Sequence, residues 1–375
     1  MSRRRVSIGR ADGLGNSHIG FTDARRAGLC ESTAHFLAQG PARLRRPSVT
    51  LERIGARAQV SLRTFTTLKA GGAAQWLTEA RNVDELALAA TVAHQEGLRC
   101  HPLGGGSNLL PSDQGVPGLC VVNLARRMEF TPAGEVTVDT GVAYQDLFLA
   151  ASQRGWGGLE YAVGIPGTVG GALVSNAGAY RSNISEIVKE VEVVHDGERR
   201  WEPASFLEFK YRDSILRRPN PPAITVLRIR CQLQAKPAHE IYNNARDYQR
   251  QRISKQPPMA SAGSFFKNVE DKALAESLDT LPAGLKAAGV VPAGYLIEHV
   301  GLKGARYQGA MLGARHANFL LNVGKASASS LRRLAEHAQA LVHDRFGVLL
   351  EPEVLYFGDW SHWEPMGRLN LDAAN

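Results

Sequence analysis

Hydrophobic and polar positions become periodic after about residue 58, and from there the chain switches repeatedly between helical and strand spacing. Residues 83–96 place Leu86, Ala89, Ala90 and Ala93 at i, i+3, i+4 and i+7, the apolar stripe of an amphipathic helix. Asn82 followed three residues later by Glu85 is a capping-box signature for its start, and Gly97 marks its stop. A second helix is expected over 143–154, halted at Gly155, and a charged one over 240–254, broken by Pro257-Pro258. The last, 329–345, carries Leu331, Leu334, Ala338, Leu341 and Val342 on one face and ends at Gly347. Strand-like runs lie between them at 98–103, 116–123, 136–140, 188–195, 223–234 and 348–357, with a loop-to-strand segment at 260–268. Helices and strands interleaved in this way, without a repeat of roughly 20–50 residues, predict an α+β or α/β chain. Lys236-Pro237 reads as a linker between a unit at 56–235 and a smaller one at 236–360, leaving tails at 1–55 and 361–375.

Composition changes this picture mainly at the N-terminus. The 375 residues suit about two domains of roughly 100–200 residues each. The net charge of +8 suggests nucleic-acid binding until it is located. Residues 1–55 hold ten arginines against four acids, so +6 of the total sits in a segment with no sustained apolar period. That segment is expected to be a poorly ordered tail, weakly similar to a transit peptide or else an over-long translated start. The remaining body is nearly neutral, so the overall charge says little about its partner. Cys30, Cys100, Cys120 and Cys231 form no Cys-x-x-Cys pair, which supports neither a zinc ribbon nor a disulfide framework. The eleven histidines show no metal-ligand spacing, and no run approaches the roughly 20 apolar residues of a membrane span.

Chemistry is concentrated in a few segments. Gly104-Gly105-Gly106-Ser107-Asn108 follows a strand, and consecutive glycines there can turn main-chain N–H groups toward a phosphate. A tight turn is the alternative, and the spacing is not the Gly-x-Gly-x-x-Gly fingerprint of a dinucleotide-binding strand–helix unit. Gly164, Gly167, Gly170 and Gly171 strip side chains from a second stretch that keeps Ile165, Val169 and Ala172. That combination points to a ligand-contacting loop rather than a polar linker. In Tyr211-Arg212-Asp213-Ser214 the guanidinium suits either a structural ion pair or a substrate carboxylate. Ser264 lies between Gly263 and two phenylalanines, as a turn hydroxyl or a proton donor. Strand periodicity turns Glu351 and Glu353 to one face and Leu350 and Val354 to the other. His316 reads as a core or pocket-wall residue.

Taken in order, these segments resemble the UDP-N-acetylenolpyruvoylglucosamine reductase family over roughly residues 58–358. The resemblance rests on residues 66–72, 104–110, 164–180, 211–214, 263–268, 294–304 and 350–354. It implies an α+β fold, with an FAD-binding domain of the PCMH or vanillyl-alcohol-oxidase type followed by a smaller α+β substrate-binding domain. It assigns FAD to Gly104, Gly105, Gly106, Ser107, Asn108 and Leu109, and to Gly164, Ile165, Gly167, Thr168, Gly170, Gly171, Ala172, Asn176 and Gly178. NADPH is implied as co-substrate, giving a hydride that passes from flavin N5 to the vinyl carbon of an enolpyruvyl nucleotide sugar. Ser264 then matches the proton donor, while Arg212 and a protonated or proton-sharing Glu353 match the groups that stabilise the enolate-like charge. Tyr180, Tyr211, Lys255, Asn268 and His316 match substrate-side positions, Lys255 and Asn268 near the diphosphate. Only 48 residues separate Ser214 from Gly263, so the chain resembles the shorter subclass that lacks a Tyr-bearing loop over the substrate. Val269 and Leu355 depart from the common proline and arginine of the family pattern.

A cytoplasmic monomer with no nucleic-acid partner is expected. Two other readings compete: a different alcohol or hydroxy-acid oxidoreductase on the same FAD domain, and a nucleic-acid-binding protein using the arginine tail.

Overall fold

Pairing of the first readable strands already brings the first glycine-rich segment to a sheet edge. In the computed structural model, which describes residues 48–253, 257–366 and 368–372, four strands run in the order Arg57–Ser61, Ala73–Ala80, Val116–Asn123, Cys100–Leu103. The first pair is antiparallel and the other two are parallel. The helix Val83–Gln95 crosses from Ala73–Ala80 to Cys100–Leu103, and the strand ends where the 104–108 glycine segment begins. The predicted stripe is buried, and so are Ala87 and Val92. The reason is that the helix packs against Val194 and Leu227 from a second sheet as well as Trp76, Leu119 and Val121 from its own. Asn82 caps the helix through the Asp84 and Glu85 N–H groups at 3.1 and 2.9 Å. Glu85 returns its carboxylate to the Arg81 N–H at 2.7 Å rather than to the Asn82 main chain, so the capping box is offset by one residue.

The second sheet is wholly antiparallel: Glu198–Pro203, Val188–His195, Ile224–Gln232, Glu135–Asp139, Met128–Phe130. Helices Tyr144–Ser152 and Val169–Val174 cover it, joined by Ile241 and Ala245 of the helix Ala238–Ile253. That last helix packs on this core although it follows Lys236-Pro237. A third antiparallel sheet, Ala260–Ser264, Phe319–Asn322, Ala310–Leu312, Arg306–Tyr307, lies under helices Ala293–His299 and Ala328–Phe346.

Three expectations are revised. Of the predicted strand 348–357 only Leu355–Phe357 forms a strand, parallel to Leu109–Pro111; upstream, Pro352 makes only an isolated antiparallel bridge with Phe266. The alternation upstream survives, with Leu350 and Val354 buried and Glu351 exposed. Within the segment read as an N-terminal tail, Val49–Arg53 is a helix capped by Ser48, with Leu51 buried against the first sheet's core. The arginines before it and Cys30 lie outside the described residues. Residues beyond 360 are also held: Trp363 Nε1 donates to Glu336 at 2.6 Å and Arg368 pairs with Asp344 at 2.8 Å. Among the described residues no helix is long and apolar enough to cross a membrane, and no group of three His, Cys, Asp or Glu is placed to hold a metal.

Candidate active site

The two glycine-rich segments touch each other. Ser107 Oγ donates to the Pro166 carbonyl at 3.1 Å. A Cβ built on Gly105 would lie 3.1 Å from Gly167 Cα, and one on Gly104 only 2.2 Å from Thr168 Oγ1. Gly106, at φ +59°, has no room either, since its Cβ would fall 1.9 Å from the Phe65 carbonyl oxygen. Among the described residues the main-chain N–H groups from Gly104 to Asn108 make no hydrogen bond within the protein. Five adjacent donors in a bend that excludes side chains form an anion cradle. On the other segment Thr168 caps the Val169–Val174 helix, Gly170 donates to the Thr140 carbonyl at 2.9 Å and Gly164 to Gln145 at 2.7 Å.

Arg212 is fixed in a strained turn. Its φ is +51°, a left-handed conformation that a non-glycine side chain adopts only when its surroundings enforce it. Lys210 and Asp213 exchange main-chain hydrogen bonds around it, and Asn176 Nδ2 donates to the Lys210 carbonyl at 3.0 Å. The guanidinium donates to the carbonyls of Asn176 and Gly178, so the second glycine segment aims it. Its ion pair is with Glu353, Nε to Oε1 at 3.3 Å, and not with neighbouring Asp213. Glu353 is held by its own main chain: its N–H donates to the Phe265 carbonyl at 2.7 Å, and its carbonyl accepts from Asn108 Nδ2 at 3.0 Å. Burial pushes the Glu353 carboxyl above the ordinary carboxylate range, against the opposing pull of Arg212, Arg217 and Lys267.

Ser264 ends the Ala260–Ser264 strand, paired with Phe319, and the next residue, Phe265, carries the carbonyl that anchors Glu353. Its half-buried hydroxyl makes no hydrogen bond among the described residues. Asn108, Arg212, Glu353 and the Ser264 strand end therefore come from four distant stretches to one place. A cleft of about 260 Å³ opens beside them, lined by Tyr211, Lys267, Asn268, Glu270, Leu349 and Glu351. Tyr180 donates its hydroxyl to the Tyr248 carbonyl at 3.0 Å and stacks on the Tyr248 ring at 4.0 Å. Asn268 Oδ1 accepts from the Ala293 N–H at 3.4 Å. His316 Nδ1 accepts from the Asn318 N–H at 3.3 Å, and its ring packs where a side chain on Gly294 would sit. Lys255 lies outside the described residues.

Sequence reasoning missed three supports. Arg217 donates to the Glu353 carbonyl at 2.6 Å and to the Pro352 carbonyl at 2.8 Å, spanning the segment that carries the carboxylate. Buried Asn318 clamps Phe266 in both directions, accepting from its N–H and donating to its carbonyl at 2.9 Å each. Arg252 belongs to a buried stripe: Ile241, Ala245 and Tyr248 face inward, and Arg252 continues that register. An arginine at an apolar position of a helix was the available signal.

This architecture is matched by known proteins along most of its length. A family model described as the UDP-N-acetylenolpyruvoylglucosamine reductase C-terminal domain fits residues 254–357, and one described as an FAD binding domain fits 74–201. A UDP-N-acetylenolpyruvoylglucosamine reductase from Synechococcus sp. (strain JA-3-3Ab) is 38% identical over 308 residues, 81% of this chain and 92% of that protein. The chain belongs to the UDP-N-acetylenolpyruvoylglucosamine reductase family. The reductase of Acaryochloris marina is likewise 38% identical, over 80% of this chain and 92% of its own. The crystal structure of the family member from Thermus caldophilus superposes with a TM-score of 0.64 at 32% identity, covering 80% of this chain and 99% of that one. The cradle at 104–108 fits the family's cofactor chemically, because a run of main-chain donors with no side chains in the way suits a diphosphate.

Proposed function

We propose that this protein reduces the enolpyruvyl double bond of UDP-N-acetylglucosamine enolpyruvate to give UDP-N-acetylmuramate, acting as a cytoplasmic monomer in peptidoglycan precursor synthesis with NADPH as reductant. The single observation that carries the reading is Asn108: it closes the anion cradle with its backbone and holds Glu353 with its side chain, tying cofactor segment to acid. Gly104, Gly105, Gly106, Ser107, Asn108 and Leu109 would hold FAD together with the 164–178 segment. Bound there, FAD would supply hydride transfer between NADPH and the terminal vinyl carbon of the substrate.

The chain's own residues do the rest. Hydride addition drives negative charge into the substrate carboxylate, and Arg212, already aimed by the Asn176 and Gly178 carbonyls, meets that charge without reorganising. Glu353, pushed by burial toward its neutral form, can donate a hydrogen bond to the same oxygen. Ser264 gives a proton to the neighbouring carbon, so the electron pair and the proton reach adjacent atoms and the double bond becomes single. A serine hydroxyl is a weak acid, so its contribution depends on being correctly placed. Tyr211 and Asn268 line the cleft where the nucleotide portion would lie, with Tyr180, Lys255 and His316 as further contacts. Family membership gives no support to the nucleic-acid reading or to an alcohol oxidation.

The test is anaerobic. NADPH should bleach the flavin of the purified protein, and the enolpyruvyl nucleotide sugar should restore the colour with formation of one equivalent of product. Absence of bleaching, or recolouring only on admission of oxygen, would overturn the assignment.

A further inference from the structure

Past the residues 254–357 that the family model fits, the chain keeps to the side of the loop that carries the cradle. The Leu355 N–H donates to the Asn108 carbonyl at 3.0 Å, the Ser112 N–H to the Phe357 carbonyl at 2.8 Å and the Asp359 N–H to the Gly115 carbonyl at 3.0 Å. Residues 355–359 therefore follow residues 108–115 along their length. Gly358, at φ +93°, passes so close that a Cβ there would fall 2.5 Å from the Gly115 carbonyl oxygen. The chain then crosses to the helix Ala328–Phe346, whose Arg332 lies over the rings of Tyr356, Trp360 and Trp363 at 4.4, 4.7 and 4.5 Å. One oxygen of Glu336, a turn further on, accepts from Arg332 Nε at 2.9 Å and from Trp363 Nε1 at 2.6 Å. The segment covers both charges, leaving their side chains only 16 and 17% exposed. Farther along, Leu369 donates its N–H to His337 Nδ1 at 3.2 Å and Asp372 to the Arg306 carbonyl at 2.9 Å. The start of the same helix is tied to the loop as well, because Asp113 accepts the Ala328 and Ser329 N–H groups at 3.0 and 2.8 Å. Loop, helix and C-terminal segment close a ring of contacts.

Two opposing effects set how firmly this segment is held. A guanidinium among three aromatic rings, shielded from water, makes cation–π contacts stronger than those at an open surface. Against them, Arg333 Nη1, Glu336 Oε2, Tyr356 Oη and Trp360 Nε1 are buried there with no hydrogen-bond partner. Buried polar groups left unpaired are costly, so much of the gain is offset and the segment can be released without unfolding its neighbours. Resting on the assignment of FAD to residues 104–109 made above, we infer that residues 359–372 are a releasable clasp on the cofactor seat, with Arg332, Trp360 and Trp363 as its positioning residues. Closed, the clasp keeps Leu355–Phe357 paired with Leu109–Pro111 and so holds the 104–108 bend in the shape that presents its N–H groups. Released, it leaves that pairing without outer support, the bend loosens and flavin departs faster. The clasp also reaches the acid, because Tyr356 tilts against Phe265 at 6.3 Å and the Phe265 carbonyl anchors Glu353.

Flavin release and amide hydrogen exchange in the FAD-loaded full chain test this together. The double variant Trp360→Ala/Trp363→Ala removes two of the rings over Arg332 and leaves every cradle residue in place. Release of FAD, followed as the rise of free-flavin fluorescence, should be about 10-fold faster, the factor that one desolvated cation–π contact carries. Arg332→Ala should behave alike. Amide exchange should quicken at residues 108–115 as well as at 355–372. Val193→Ala, in the core of the second sheet, is the control: it should lower Tm and leave FAD release within about twofold of wild type. Release within about twofold of wild type in both clasp variants overturns the inference. So does faster exchange confined to 355–372, or a control that loses FAD as quickly at an equal loss of Tm. If the double variant does not fold, Trp363→Ala alone carries the test, about threefold faster release being the supporting result and wild-type release the overturning one. A wild-type chain that retains no flavin would sink the assignment of FAD to the cradle. One that retains flavin while the clasp variants retain it equally well sinks only the clasp.

Discussion

Replacing Arg217 with methionine should separate the placement of Glu353 from the rest of the machinery. The guanidinium bridges two consecutive carbonyls, Pro352 at 2.8 Å and Glu353 at 2.6 Å, more than 130 residues away in sequence. Hydrogen bonds from a charged donor contribute about 1.5–3 kcal/mol each. Burial holds Arg217 below the ordinary guanidinium range, so part of that gain is offset by its own desolvation. A net loss of about 2–4 kcal/mol follows, or roughly 4–16 °C in Tm at the 2–4 °C per kcal/mol of a larger domain. Stopped-flow measurement of the two half-reactions gives the functional readout. Flavin reduction by NADPH should be preserved within about threefold, because the cradle at 104–108 is untouched. Reoxidation by the enolpyruvyl nucleotide sugar should slow by about 10–100-fold as Glu353 loses its anchor. Arg217→Lys should fall between the two, since an ammonium cannot bridge both carbonyls. A methionine variant with wild-type Tm, or one in which both half-reactions slow together, would refute the reasoning.

Further predictions address the donor, the cradle and a half-buried imidazole. Ser264→Ala should slow substrate reduction by about 10²–10⁴-fold in single turnover and leave flavin reduction by NADPH intact; equal slowing of both would remove Ser264 from the proton step. Gly106→Ala would press a methyl group against the Phe65 carbonyl oxygen at positive φ, so purified protein should carry substoichiometric flavin by absorbance and a lowered Tm. His101, whose Nε2 lies 3.0 Å from the Pro117 carbonyl, has its pKa lowered by burial and Arg99 to about 4. A His held neutral in the fold contributes stability that is complete above about pH 6.5 and lost as pH falls toward 4, about 3 kcal/mol in all. His101→Gln should flatten that slope in urea denaturation between pH 7 and pH 4.5, and an unchanged slope would place the titration elsewhere.

The parts of the fold legible in the sequence are those where one physical rule acts alone. The Val83–Gln95 helix could be read from its stripe and its cap, and the Val188–His195 strand from its valines at 188, 191, 193 and 194. Glycine crowding singled out both glycine-rich segments, and the structure brings them into contact through Ser107 and the Pro166 carbonyl. Ser264, Arg212 and Glu353 were legible only as members of a family pattern, since each alone suits an ordinary turn, ion pair or edge. The 348–354 segment was misread as strand because its alternation is real, while its pairing with residues 265–267 stops at a single antiparallel bridge between Phe266 and Pro352. Arg217 follows Leu216 and precedes Arg218 with nothing in that sequence to distinguish it; only the return of the chain at 352–353 gives it a role. Arg252 differs, because its place on the inward register of a helix was visible.

The short parallel pairing of Leu355–Phe357 with Leu109–Pro111 has a mechanical consequence. It stitches the last strand directly behind the cradle, and Leu355 donates to Asn108 itself at 3.0 Å. The 104–108 bend and Glu353 are therefore tied together through adjacent main chain, and any opening of the cleft is to be sought in other segments. A nested early stop anywhere before residue 355 would strip the backing from the cradle along with the acid's support, so neither half of the polypeptide can be expected to retain a partial activity.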